Sequence, residues 1–264
     1  MTTNCFVCYD NLLTSPLVVS VVVTSERAGY SVQNCYDWNT TTYWSPASAA
    51  ADYSIRVEFS EDVTVDYLSI FKHNLATVGG VFFIEYSHDN WVTYTIATPL
   101  LTVDSDNELN IDTFEPISAK YWQVTFRLTS ATPLYVGVVM FGQKLPLYRG
   151  MVSGFTVPRH GRKNEIINQK TEGGQFVGRV KTSHGARTSI NFKHVTQSWV
   201  RANWEAFVRH AELLPFLFSW NHDTYPQDAV YCVSDGEIPH IPINDNHHHD
   251  INLPVQCLLS GDTL

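Results

Sequence analysis

Side chains able to do chemistry are thinly scattered along this chain of 264 residues. Cys5-x-x-Cys8 has the spacing of half a structural zinc site, but such a site needs four ligands. No second cysteine pair exists, since Cys35, Cys232 and Cys257 stand apart. The run Asn244-Asp245-Asn246-His247-His248-His249-Asp250 gathers imidazoles and carboxylates. On an extended segment His247 and His249 point the same way, as metal ligands or simply as a wet loop. The chain has no Gly-x-Ser-x-Gly elbow, no His-Glu-x-x-His helix and no phosphate-binding glycine loop. Gly173-Gly174 lacks the Lys-Ser/Thr that would follow in such a loop, and predicts a hairpin turn. Glu58, Glu85 and Asp89 fall on strands or turns where solvent exposure is the default. Nothing here reads as an activated nucleophile, and the chain is expected not to be an enzyme.

The bulk composition narrows the class further. Hydrophobic residues make up 44% and charged residues 16%, enough to bury a real core. There are 17 basic and 26 acidic residues, a net charge of -9. That balance argues against a general nucleic-acid binder and against a polybasic membrane-surface protein, and no sequence-specific nucleic-acid partner is expected. The apolar stretch Leu17 to Val23 is broken by Ser20 and falls far short of the roughly 20 residues of a membrane span. The opening residues lead no basic segment into an apolar one, so no secretory signal is expected. Five cysteines, an odd number, read as buried thiols of a soluble protein made in a reducing cytosol.

The elements that must position any site come in two parts. Residues 1–148 hold 6 basic and 15 acidic residues, whereas residues 149–264 hold 11 of each. Nine of those eleven basic residues lie between Arg149 and Lys193. This charge step, at a junction marked by Gly142, Pro146, Gly150 and Gly154, predicts two domains, 1–148 and 149–264. In the first, Val18–Thr24, Tyr53–Phe59, Tyr67–Phe71, Val81–Tyr86, Val92–Ile96, Tyr121–Leu128 and Tyr135–Phe141 read as short strands of an antiparallel sandwich. In the second, strands at Gly174–Lys181, Arg187–His194, Leu217–Trp220, Ala229–Val233 and Asn252–Leu259 surround one amphipathic helix. That helix starts at a Thr196 cap, buries Trp199, Val200, Trp204, Phe207, Val208 and Ala211 on one side, and stops before Pro215.

Residues 34–44, Asn-Cys-Tyr-Asp-Trp-Asn-Thr-Thr-Thr-Tyr-Trp, are followed by the Ile55–Phe59 strand, then Asp89-Asn90-Trp91 and Ala119-Lys120-Tyr121-Trp122-Gln123-Val124. In this order they resemble the discoidin, or galactose-binding-like, jelly roll over roughly residues 15–142. The resemblance implies a loop calcium, with Asp37, Asn39 and Thr42 as its candidate ligands; Trp38 replaces the usual glycine there. It also implies a sugar platform, for which Trp38, Tyr43, His73, Asn74 and Trp91 are the candidates, with Trp44 packed under the turn.

A second resemblance covers roughly residues 149–264. Gly178-Arg179, Arg187-Thr188-Ser189-Ile190-Asn191-Phe192, the tryptophan-bearing helix and Pro215-Phe216-Leu217-Phe218-Ser219-Trp220 are similar to distal and minor tail proteins of long-tailed bacteriophages. That implies a ring-forming domain of a virion tail tip, assembled in the host cytoplasm. Its implied partners are further copies of itself, the tail tube protein and baseplate hub or fibre proteins. Trp199 and Tyr148 are candidate anchors between subunits, and the first domain would touch host-surface glycans. The alternatives are a carbohydrate-binding lectin or accessory module without a virion role, and a glycan-cleaving tail enzyme.

Overall fold

The computed structural model describes residues 4–47, 52–130, 132–148, 150–151, 155–161, 165–183, 185–242 and 247–259. The fold is mainly β, as the period-two alternation predicts. Its strands are β1 (Phe6–Cys8), β2 (Val18–Val23), β3 (Asp52–His73), β4 (Val81–Ser87), β5 (Thr95–Ile96), β6 (Leu101–Thr102), β7 (Asn110–Arg127) and β8 (Val136–Gly142). They continue with β9 (Lys144–Pro146), β10 (Glu165–Lys170), β11 (Phe176–Ser183), β12 (Ala186–Thr196), β13 (Phe216–Ser219), β14 (Val230–Ser234), β15 (His240–Pro242) and β16 (His248–Leu258). The pairings among β2 to β8 and among β10 to β16 are antiparallel.

The chain divides into two compact units, Cys8–Leu145 and a second that joins Met1–Val7 to Pro146–Asp262. The charge step lies near residue 148. The opening residues nevertheless belong with the later unit, because β1 lies beside β13 in its sheet. Charge statistics cannot see a pairing so distant in sequence.

In the Cys8–Leu145 unit the sheet order is β2-β3-β7-β4-β5, with β6 on β4 and β8 on β3, an arrangement consistent with a jelly-roll sandwich. The segments Tyr53–Phe59 and Tyr67–Phe71 read as separate strands, yet β3 runs unbroken through both. The polar Ser60-Glu61-Asp62 stretch is absorbed by a register shift between Glu58 and Val63. Along β3, Tyr53, Ile55, Val57 and Phe59 point into the core, where they meet Phe82 and Ile84 of β4 and Trp122, Val124 and Phe126 of β7. Each such side chain contributes about 1.5–3 kcal/mol by leaving water. Trp44 is fully buried among them, and its indole N–H donates to the Ser25 carbonyl at 3.1 Å. The intervening residues of β3 face the other way, and that outward face carries the candidate site.

In the second unit the sheet runs β12-β16-β14-β13-β1. The helix is α-helical over Gln197–Trp199 and Glu205–Ala211, with a π-helical stretch at Val200–Trp204 between them. The Thr196 hydroxyl accepts the Trp199 N–H, as a cap should. Val200, Trp204, Phe207 and Ala211 are the buried stripe, while Val208 is only half-buried. Aromatic rings pack in series from Phe192 to Trp204 (5.1 Å), Phe207 (4.8 Å) and Phe216 (4.9 Å). Tyr148 and Trp199, the candidate subunit anchors, lie 5.8 Å apart and pack on each other. The Gly173-Gly174 pair does turn a hairpin: β10 and β11 form a separate two-stranded sheet, with Gly174 at φ 81°.

A groove on the outward sheet face

Three strands that are not consecutive in sequence, β3, β7 and β4, lie side by side and set their outward residues in a grid. Across β3 and β7 the facing pairs are Asp52 with Arg127, Ser54 with Thr125 and Arg56 with Gln123. Across β7 and β4, Thr125 faces Phe83 and Gln123 faces Glu85. These residues, with Thr24, Trp91 and Tyr94, line a groove of about 300 Å³.

The grid is cross-braced by hydrogen bonds. Arg56 Nε donates to Gln123 Oε1 at 3.0 Å, and Gln123 Nε2 donates to Glu85 Oε2 at 2.9 Å. Thr125 Oγ1 donates to the same Glu85 oxygen at 2.7 Å. Glu85 is buried on the groove floor, and these two donors satisfy a carboxylate that would otherwise be costly to desolvate. Alongside, Arg127 pairs with Asp52 through Nε–Oδ1 at 3.1 Å and lies over the Phe83 ring.

Trp91 is brought to the groove by the connection between β4 and β5. Asp89 builds that connection: Oδ1 accepts from the Thr93 N–H (2.8 Å) and the Ser87 hydroxyl (2.9 Å), and Oδ2 accepts from the Thr93 hydroxyl (2.7 Å). These bonds hold the Asp89 carboxyl down at about 2, the Thr93 amide contributing most. Asn90 and Trp91 both adopt positive φ, 54° and 68°, a left-handed pair that the surrounding bonds must impose. The guanidinium carbon of Arg56 then lies 4.5 Å from the centre of the Trp91 ring. Tyr94, on the same connection, is exposed.

Of the five candidate sugar contacts, Trp91 alone lines this groove. His73 and Asn74 are corrected from surface contacts to buried structural groups. His73 Nδ1 accepts the Leu75 N–H and Nε2 faces Asn110 Nδ2 at 3.2 Å. Burial pushes the His73 imidazole down to about 4. The Asn74 side chain is spent on backbone, donating to the Pro133 carbonyl and accepting from the Tyr135 N–H. Tyr43 stacks on Tyr30 at 4.8 Å and lies 5.4 Å from Tyr135. Trp38 sits at φ 64° in the loop just before.

The calcium candidates lie together on that loop, but they bind one another. Asp37 Oδ1 accepts the Asn39 N–H and Oδ2 accepts the Thr42 hydroxyl, both at 2.8 Å. Asn39 Oδ1 takes the Thr41 N–H and hydroxyl. One carboxylate with both oxygens engaged fits a self-closed turn rather than a calcium shell, which takes six to eight oxygens. Among the described residues no group of three or more His, Cys, Asp and Glu side chains is placed to hold a metal ion. Asn244–Asn246 of the histidine run lie outside the described residues, and His249 packs against Gln197.

Arg56, Glu85, Tyr94, Gln123 and Arg127 were not singled out by sequence as binding residues. The usable signal was the alternation of Tyr53–Phe59, which already places Ser54 and Arg56 on one face. What that signal lacks is the identity of the neighbouring strands.

No protein-family model matches the chain, and no curated protein matches it. Among solved structures it is similar to a GH29 fucosidase of Ruminococcus gnavus in complex with fucose, at 18% identity and a TM-score of 0.43. The match covers 52% of this chain and 27% of the fucosidase, so it spans about a quarter of that protein's length. Chitosan-binding module 1 of a chitosanase/glucanase from Paenibacillus sp. IK-5 matches at 20% identity, covering 47% of this chain and 94% of the module, with a TM-score of 0.40. A Clostridium perfringens module, CpGH89CBM32-5, in complex with GalNAc-β-1,3-galactose, matches at 13% identity over 47% of this chain and 94% of its own, with a TM-score of 0.39.

Proposed function

We propose that the Cys8–Leu145 unit binds carbohydrate, with the outward sheet groove as its site. The observation that carries this reading is the Arg56–Trp91 pair at 4.5 Å beside the braced Gln123–Glu85–Thr125 set. A sugar ring has an apolar C–H face and an edge of hydroxyls. An aromatic rim next to fixed, planar donors and acceptors complements both. The role is retention rather than catalysis: Asp52 is paired with Arg127, and Glu85 is held by two donors on the groove floor. The test is a glycan array followed by NMR titration of the full chain with each hit. Shifts clustered on Trp91, Tyr94 and Gln123 are the expected result. Shifts confined to the Tyr30–Tyr43 stack would move the site, and no hit at millimolar glycan would overturn the reading.

A second reading, a ring-forming component of a bacteriophage tail tip, draws support from the β10–β11 hairpin. Ile167, Phe176, Val177 and Val180 are all exposed on this two-stranded ribbon. An isolated hairpin is marginal in water, and such a surface gains by burial against another subunit. Its occupant in this reading is a second copy. The 149–193 segment, with nine basic residues and two acidic, complements the -9 charge of residues 1–148. The tail tube protein and hub or fibre proteins would then stack on the ring. Light scattering of purified protein should show oligomers that Phe176→Ser with Val177→Lys disperses. Immunogold label at the distal tail of phage particles would add the location, and a monomer at all concentrations with unlabelled particles would sink the reading.

A further inference from the structure

We infer that the groove selects a glycan carrying a carboxylate, a uronic acid residue, over its neutral counterpart. The inference rests on the carbohydrate reading above and adds the chemical class of the ligand. Two basic and two acidic side chains line the groove: Arg56, Arg127, Asp52 and Glu85. Arg127 and Asp52 neutralise each other through two contacts, at 3.1 and 3.5 Å. Glu85 lies buried with Oε2 held by Gln123 and Thr125. Arg56 is left: exposed, fixed over the Trp91 ring, and bonded through Nε to a neutral amide oxygen, with no carboxylate partner among the described residues.

A guanidinium has two edges. With Nε taken by Gln123, the edge formed by the two Nη nitrogens is the one that remains for a ligand, and it matches the two oxygens of a carboxylate. A carboxylate adds charge–charge attraction to that paired geometry, which a neutral sugar diol lacks, so the same edge holds the diol less well. Glu85 disfavours an anion on the groove floor. The carboxylate therefore belongs at the rim, where Arg56 and Trp91 meet, with the sugar ring against Trp91 or Tyr94. Arg56 is both partly desolvated by the indole and pre-positioned, which lowers the cost of ordering it on binding.

The experiment compares trimers of galacturonate and of mannuronate with the same trimers after carboxyl reduction, by calorimetry on the full chain. At least one uronate trimer should bind ten-fold or more tightly than its reduced form, and that ratio should shrink as salt is raised. In Arg56→Gln the ratio should fall to near one, because the acid trimer loses far more affinity than the reduced trimer does. Arg56→Lys, which keeps the charge but not the paired edge, should fall between the two. Amide NMR spectra of each variant check that the sheet is intact. Equal binding of acid and reduced trimers, or an unchanged ratio in Arg56→Gln, would overturn the inference and leave the carbohydrate reading standing. Binding of neither trimer, with a neutral hit on the array, does the same; silence in both assays overturns the inference and the carbohydrate reading together.

Discussion

The guanidinium of Arg56 lies 4.5 Å from the centre of the Trp91 ring, although the two residues are 35 positions apart and sit on different elements. Arg56 comes from the outward face of a long central strand, and Trp91 from a loop that folds over that face. Neither group makes a binding site alone. An exposed arginine is floppy, and a loop tryptophan without support collapses on whatever is near. Together, with Gln123 holding Arg56 Nε, they form an ordered rim.

Trp91→Ala should abolish glycan binding or weaken it more than ten-fold while leaving the fold intact. The indole is on the groove rim, outside the hydrophobic core. A cation–π contact at such a site is worth roughly 0.5–1 kcal/mol. Chemical denaturation should therefore show a change in stability of about 1 kcal/mol or less. A loss well above that would show that Trp91 is a core residue.

Gln123→Ala should weaken binding several-fold through Arg56 and Glu85, which it positions. It releases Arg56 Nε and removes one of the two donors to Glu85 Oε2. The readout that separates positioning from simple destabilisation is the uronate-to-neutral ratio, which should drop along with affinity. Unchanged selectivity in a less stable protein would contradict the positioning role.

Asp89 should titrate near 2, well below an ordinary aspartate, because the Thr93 amide and hydroxyl and the Ser87 hydroxyl favour its charged form. For a depressed carboxyl the support is present above its unfolded value and is lost as pH falls through the folded value. The Trp91 loop should thus stay ordered at pH 4 and loosen as pH approaches 2. Carboxyl-carbon NMR on Asp89 and the intensity of the Asn90 and Trp91 amides check this. Asp89→Ala should show the loosened loop at neutral pH.

His73 gives a pH dependence of a different origin. Burial lowers its imidazole to about 4 from the usual 6.5, so the unfolded chain binds the proton more readily than the folded one. Stability should be full above pH 6.5 and should fall as pH drops from there toward 4, by about 3 kcal/mol in all. Denaturation midpoints across pH 4–7 measure the slope. His73→Gln, which has no proton to gain, should flatten it.

Much of this architecture was legible from local pattern. The alternation at Tyr53–Phe59 marks a strand with one buried face, Gly173-Gly174 marks a turn, and Thr196 followed by a tryptophan-bearing stripe marks a capped helix. These signals are short-range, set by φ/ψ preference and by the period at which side chains return to one face. Trp44 as a core residue was legible in the same way, because a tryptophan just after a polar turn needs somewhere dry to pack.

Other features depended on which distant segments meet. His73 and Asn74 look like loop polar groups in sequence, but the strands around them close over both and turn them to backbone bonding. Asp37, Asn39 and Thr42 have ligand chemistry, and only their mutual hydrogen bonds show that the oxygens are spent within the turn. Met1–Val7 join the later unit because β1 lies beside β13. By itself the sequence determined the β class, the buried face of the Tyr53–Phe59 strand and the position of the helix, since these follow from side-chain period and capping. Only the tertiary structure decided the groove, because β3, β7 and β4 become neighbours by long-range pairing, and a row of outward side chains becomes a site only when its cross-strand partners are known.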